Sequence, residues 1–193
     1  MRMLVIGAGK MAKAIAYDFC RQDDVSHVGI VSRNLAGPKK IVKFVKSHKA
    51  KALKVNLAKK SNIVRLMRKY DCCVSAVPYY FNYTLAKAAV KAGCHFVDLG
   101  GNNVIVDKEF SLNAAAKKRD VCIVPDSGLA PGLVSNLTAL AMLDFDEKVE
   151  SVKLRVGGLP QKPKGLLEYM LVFSVKGLIN EYIEPVQIIK NYK

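Results

Sequence analysis

A glycine-rich turn near the start of the chain has the spacing of a phosphate-binding loop. The segment GAGKMA, residues 7–12, follows a short apolar run and precedes a helical pattern. Gly7 permits a tight turn, and Gly9 lets the backbone approach a pyrophosphate. The helix that follows, with Lys10 and Met11 in its first turn, offers free N–H groups to the phosphates. The alternative is a tight turn that binds no ligand.

The segment VSRN, residues 31–34, lies where such a site normally carries a carboxylate for the adenosine ribose. Ser32 and Arg33 occupy this place, and no Asp or Glu occurs anywhere in residues 25–70. A hydroxyl and a guanidinium are suited to a 2′-phosphate, which a bare ribose lacks. With Asn34 included in the site, the pattern favours NADP over NAD. The alternative is that Ser32 is an ordinary residue at a strand end and that the fold binds NAD.

Two carboxylates follow neighbouring apolar segments in the middle of the chain. Asp98 ends the segment HFVD, and Asp126 follows VCIVP. Parallel strands place their carboxyl ends at the ligand, so both side chains are candidates for a catalytic base or an ammonium site. Each could instead cap a helix or form a turn.

Short apolar segments alternate with helical patterns along the first two thirds of the chain. Six predicted strands separated by helices indicate an α/β fold with a doubly wound parallel Rossmann sheet. We assign residues 1–125 to a dinucleotide-binding domain. Residues 126–193 are assigned to the beginning of an α+β substrate or dimerisation domain, with a predicted strand at 149–159.

The charge of the chain is concentrated in its first half. Of a net charge of +15, thirteen Lys and Arg residues lie in residues 25–70. The segment favours an anionic ligand, although solvated lysines are an equal alternative. Aromatic residues are not interleaved with these cations, so a nucleic-acid partner is not predicted. The five cysteines and three histidines have no metal-binding spacing, and no apolar run reaches the roughly 18 residues of a membrane span. We therefore predict a cytoplasmic protein without metal.

Four long segments are more distinctive than a generic dinucleotide fold. VSAVPYYFN, FVDLGGNN, PDSGLAPGLVSNL and GGLPQKPKGLLEYMLVFSVKGLINEY together resemble the saccharopine dehydrogenase-like family, most closely its lysine 6-dehydrogenase branch. The resemblance implies an oxidoreductase that uses NAD(P) at the C–N bond of a lysine-type amine. In that branch the ε-amine loses hydride, and hydrolysis gives 2-aminoadipate semialdehyde. A saccharopine reductase-like dehydrogenase is the near alternative, and a non-catalytic NAD(P)-binding module is the distant one.

The resemblance also assigns further site residues. It places Ala76, Val77 and Pro78 beside the ribose and nicotinamide. Asn56 is a candidate for the adenine, with a simple turn residue as the equal alternative. The substrate side is assigned to three more positions: Gly100, Pro131 and Tyr169. For Tyr169 the alternative is simple core packing.

The same resemblance predicts how the chain associates. Members of the family are about twice as long, so we expect this chain to be the N-terminal part of a longer enzyme, with little turnover alone. The second segment of the chain, residues 126–193, is apolar and needs a partner surface, so we expect a homodimer.

Overall fold

The structure is a computed structural model that describes residues 1–56, 60–145, 148–166, 168, 170, 175–183 and 185. Strands and helices alternate through its first part. The six strands are β1 (Arg2–Ile6), β2 (His27–Ser32), β3 (Ala50–Lys54), β4 (Cys72–Ser75), β5 (His95–Asp98) and β6 (Ile123–Val124). The helices between them are α1 (Lys10–Phe19), α2 (Ala36–Val45), α3 (Lys60–Met67), α4 (Asn82–Ala92), α5 (Asn103–Phe110) and α6 (Asn113–Lys118).

The six strands form one parallel sheet in the order β3-β2-β1-β4-β5-β6. This is the order of a Rossmann sheet, in which the order of successive strands reverses between β1 and β4. The predicted doubly wound fold is confirmed.

Alternation along β1 explains why helices cover both faces. Met3 and Val5 pack with residues of α1 and α2, whereas Leu4 and Ile6 pack with residues of α3 and α4. Successive side chains of a strand point to opposite faces, so an unbroken apolar run requires a cover on each side. The central strands are accordingly the most buried part of the chain.

The segment KEFSLNAAAKKR, residues 108–119, has a helical pattern that predicts one helix. The structure has two helices in this region, α5 and α6. The first begins earlier, at Asn103, because the Asn102 side chain accepts a hydrogen bond from the Ile105 N–H at 3.2 Å and caps it. The helix ends where the Ser111 hydroxyl donates to the Lys108 carbonyl at 2.6 Å. A polar residue that competes for a backbone carbonyl favours this break.

The second segment contains α7 (Val134–Met142), preceded by a π-helical turn at Leu129–Leu133, and α8 (Val175–Ile183). Within residues 148–166, all of which the structure describes, no strand forms, so the strand predicted at 149–159 is wrong. Alternating hydrophobicity gives a strand only where a neighbouring strand accepts its hydrogen bonds.

Candidate functional site

The residues predicted to bind ligand lie together at the carboxyl-terminal ends of the strands. The glycine-rich turn follows β1, and residues 32–34 follow β2. The loop at 76–78 follows β4, and Asp98 ends β5. The strand order reverses between β1 and β4, which opens a crevice there. The fold therefore brings together residues that are far apart in sequence.

Gly7 is shaped by its neighbours in the sheet. Its φ of 128° is a conformation that favours glycine, and a Cβ atom there would lie 2.4 Å from the Ala76 carbonyl oxygen. The turn is fixed by two backbone hydrogen bonds, from Gly7 N to Val31 O at 2.9 Å and from Ala76 N to Ile6 O at 2.7 Å. The absence of a side chain at Gly7 thus lets the turn pack closely against β2 and the loop after β4.

Gly9 differs from Gly7 because it faces open space. A Cβ atom at Gly9 would meet no other atom within 4 Å. It precedes α1, whose N-terminus has no side-chain cap and no acidic residue in its first turn. The N–H groups of Lys10 and Met11, both exposed, are thus left for an anion. This arrangement fits a dinucleotide pyrophosphate.

At the end of β2, Ser32 is part of a local turn. Its hydroxyl donates to the Asn34 carbonyl at 2.7 Å and lies 3.4 Å from the Asn34 N–H. Arg33 between them is exposed, and within the described part of the chain its guanidinium forms no hydrogen bond or ion pair. The turn engages the Ser32 hydroxyl and presents Arg33, so the guanidinium is the better candidate for a 2′-phosphate contact.

The loops after β3 and β4 complete the cofactor side. Asn56 is exposed beyond the end of β3. Ala76 and Val77 are half-buried, and Pro78 is exposed at the start of a 3-10 turn, Tyr79–Phe81. Direct ligand contacts for these four residues stay predictions.

Asp98 is the centre of a buried hydrogen-bond network, and its side chain has 0% exposure. Its Oδ1 atom accepts from Gly100 N at 2.7 Å, from Asn82 Nδ2 at 2.9 Å and from Asp126 N at 3.3 Å. Asn82 in turn accepts from the Ser75 hydroxyl at 2.7 Å. The catalytic role predicted for Asp98 stays untested, and its position favours a structural one: it ties the ends of β4, β5 and β6 together.

Asp126 is half-buried beside Gly100 and has a φ of 58°. A Cβ atom at Gly100, whose φ is 74°, would collide with Asp126 Oδ1. Only glycine fits beneath this carboxylate. Of the two predicted acids, Asp126 is therefore the one placed near the surface, where a substrate ammonium could reach it.

Three residues of this region were not among the site residues predicted from the sequence. Asn82 and Glu109 are 2% exposed and surround Asp98. Asn180 of α8 donates from Nδ2 to the Gly101 carbonyl at 2.8 Å, so the second segment contacts the loop after β5. Asn82 and Asn180 lie in two of the segments that carry the family resemblance, but Asn and Glu are ordinary surface residues, so the sequence did not single out these positions.

The other two predicted substrate residues are less informative. Pro131 is exposed in the π-helical turn before α7. Tyr169 lies outside the described residues. Among the residues that the structure describes, no group of His, Cys, Asp and Glu side chains could hold a metal ion. Within the same part of the chain, no helix is long and apolar enough to cross a membrane.

Comparisons with known proteins agree with this geometry. Residues 3–124 match the family model of the saccharopine dehydrogenase NADP binding domain. Two curated relatives, from Schizosaccharomyces pombe and Saccharomyces cerevisiae, are each a saccharopine dehydrogenase [NADP(+), L-glutamate-forming]. Each is 24% identical over 92% of this chain and 39% of its own length. The chain thus spans about two fifths of these relatives.

Solved structures show the same fold. A saccharopine dehydrogenase (L-Glu forming) from Saccharomyces cerevisiae has a TM-score of 0.64 and 22% identity, over 74% of this chain and 30% of that one. A UDP-N-acetylglucosamine 3-dehydrogenase from Acidithiobacillus ferrooxidans has a TM-score of 0.55 and 16% identity, over 73% and 43%. The predicted family is confirmed, and so is the predicted cofactor, NADP with NAD as the alternative. With the family model covering most of its length, the chain belongs to the saccharopine dehydrogenase family and carries its NADP binding domain.

Proposed function

We propose that this chain provides the NADP site of an oxidoreductase acting at the C–N bond of a lysine-type amine. The observation that carries the proposal is the open Gly9 at the uncapped start of α1, together with the exposed Arg33 that follows β2. The first offers N–H groups to a pyrophosphate, and the second offers a planar donor group to a 2′-phosphate. When bound, NADP supplies a hydride acceptor.

The remaining chemistry belongs to residues of the chain. An amine can lose hydride only in its neutral form, so a base must first take the ammonium proton. Asp126 is the candidate because its half-buried carboxylate lies over Gly100 at the carboxyl edge of the sheet. Asp98 and Asn82 position it by holding the Asp126 N–H and the Gly100 N–H on one buried oxygen.

Two amines are candidates. The names of both curated relatives favour saccharopine, with glutamate as a product, over free lysine. The longer resemblance of residues 157–182 to the lysine 6-dehydrogenase branch supports lysine. We rank saccharopine first because it agrees with relatives matched over nearly the whole chain.

The test has two stages on the same protein. NADPH and NADH are titrated first, following the fluorescence of the reduced nicotinamide, and we expect NADPH to bind more tightly. NADP is then mixed with saccharopine or with lysine, and the absorbance of the reduced cofactor is followed. Reduction with saccharopine alone supports the first candidate, and reduction with lysine alone supports the second. Binding without reduction agrees with the little turnover expected of this chain alone and leaves the choice of amine open, whereas the absence of dinucleotide binding contradicts the proposal.

A further inference from the structure

Glu109 is a buried carboxyl group that the proposed chemistry does not use. It is the buried residue of α5, with 2% exposure. Among the described residues, no N–H or hydroxyl group donates to either of its carboxyl oxygens or to Asp98 Oδ2. Buried oxygens without a donor are costly, and two buried carboxylates side by side also repel each other.

A single proton removes both problems. The two side chains carry the unpaired buried oxygens of this region, and a hydrogen bond between them favours the protonated form of Glu109 and the charged form of Asp98. Burial, followed by the charge of Asp98, the hydrogen bond to Asp98 and the charge of Asp126, raises the pKa of Glu109 to about 8. Burial also raises the pKa of Asp98, while N–H donors on Oδ1 oppose that shift. Glu109 therefore holds the proton, and Asp98 keeps its charge.

Asp98 transmits this arrangement to the candidate site. Its Oδ1 atom holds the loop after β5 through Gly100 N and the loop after β6 through Asp126 N. The same oxygen holds Asn82, which binds Ser75 at the end of β4. Because Oδ1 is fully used by these donors, Oδ2 is the oxygen left for the Glu109 proton, which adds to the hold on the carboxylate.

We propose that Glu109 is a positioning residue of the dinucleotide site, because its carboxyl proton holds Asp98 Oδ2 and thereby fixes the loops after β4, β5 and β6. The inference rests on the proposed function, since it concerns dinucleotide affinity. Loss of the proton places a second negative charge against Asp98 and releases the carboxylate from its orientation. Affinity for the cofactor then falls with the order of the loops.

The surroundings allow the proton to exchange with solvent. Glu109 lines a cavity of about 450 Å³ at the β6 edge of the sheet, together with four other titratable groups: His95, Lys117, Asp120 and Cys122. On the buried side, the charges acting on Glu109 are those of Asp98 and Asp126. The helix α4, which packs against α5, carries Tyr83, Lys87 and Lys91 as its titratable groups.

The experiment measures NADPH affinity of the 193-residue chain at about pH 7 and about pH 9. Single-proton linkage predicts a loss of up to roughly tenfold for the unaltered protein across this interval. Glu109→Gln replaces the shared proton with an amide donor that does not titrate, so its affinity stays level. Glu109→Leu has no donor and is expected to bind weakly at both pH values. Asp107→Asn is the control, because it removes an exposed carboxylate from the same helix.

The affinity of each variant is expressed as a ratio to that of the unaltered protein at the same pH, because the ratio cancels the titration of NADPH itself. The inference is overturned if Glu109→Gln and the unaltered protein lose the same affinity with pH, even where their thermal stabilities differ. It is also overturned if Glu109→Leu binds as tightly as Glu109→Gln. An unaltered protein that binds no dinucleotide at either pH contradicts the proposed function itself, which separates the two failures.

Discussion

Arg33 is the residue to which we assign the choice between NADP and NAD. The carboxylate that would bind a ribose diol is missing, and Ser32 is engaged in a turn with Asn34 that leaves Arg33 outside. A guanidinium with no partner among the described residues binds a dianion at little cost, because no existing ion pair has to break. We therefore expect the preference for NADP to depend on the guanidinium more than on the hydroxyl.

Arg33→Ala is expected to weaken NADPH binding by roughly 1.5–3 kcal/mol, the contribution of a charged hydrogen bond, and to leave NADH nearly unchanged. Calorimetric titration of both dinucleotides measures the difference. The matched control is Arg68→Ala, which removes the same charge from an exposed position beyond the end of α3, near the amino ends of the strands. Equal losses for NADPH and NADH, or equal losses in the two variants, would contradict the 2′-phosphate role.

Gly7 and Gly9 separate the requirements of folding from those of binding. Gly7→Ala is expected to lower the free energy of unfolding by roughly 2 kcal/mol or more, because a Cβ would collide with the Ala76 carbonyl at a positive φ. Gly9→Ala is expected to cost less than about 1 kcal/mol of stability, since its Cβ meets open space. That open space is where the pyrophosphate approaches, so Gly9→Ala should still weaken NADPH roughly tenfold or more.

Urea unfolding and NADPH titration of both variants test this pair. A stable Gly9→Ala protein with unchanged affinity would show that the turn binds no phosphate. A Gly7→Ala protein as stable as the original would show that the contact with Ala76 is not limiting.

Among the elements, the ends of β4, β5 and β6 are joined by buried side chains as well as by backbone pairing. Only two residues form β6, so the sheet gives its last loop little support. Ser75, Asn82 and Asp98 supply that support from inside, with no water-exposed member. A buried network of this kind rigidifies a site when every member is satisfied.

Asn82→Ala is expected to lower the free energy of unfolding by roughly 2–4 kcal/mol, because it leaves the Ser75 hydroxyl without its acceptor and removes one of the donors to Asp98 Oδ1. Chemical unfolding measures the loss. The control is Asn113→Ala, an exposed position at the start of α6, where the change should be below about 0.5 kcal/mol. Similar losses in both variants would mean that the network adds no stability beyond that of a surface asparagine.

At the scale of the whole molecule, the first domain and the second segment differ in how they bury apolar side chains. The sheet has two continuous cores, whereas α7 has no buried residue. Leu133, Leu137 and Leu140 are each at least half exposed at helical spacing. Contiguous apolar surface of this kind favours association.

We expect the protein to self-associate with rising concentration and Leu137→Glu to reduce that association, because a charge in the middle of the apolar stripe opposes its burial. Light scattering over a concentration series measures the average mass. Val104→Glu is the control, since it alters an exposed apolar residue on α5. If both variants associate like the unaltered protein, the stripe on α7 is not the contact surface.

The sequence by itself determined the alternating elements and the strand ends at which ligands bind. Period-two and helical patterns are local, and the glycine-rich turn specifies its own geometry. Gly7, Gly9 and the missing acid near Ser32 could therefore be recognised from the sequence alone. The boundary at residue 125 stays a prediction.

The tertiary structure decided what each strand-end side chain faces. Asp98 and Asp126 look equivalent in the sequence, yet burial and three donors fix the first while the second stays near the surface. Glu109 becomes part of the site only because α5 packs its carboxyl group against Asp98, and Asn180 because α8 returns to Gly101. The strand expected at 149–159 did not form because a strand needs a pairing partner, which a sequence pattern does not specify. Such contacts depend on chain segments that are distant in sequence, and no local pattern records them.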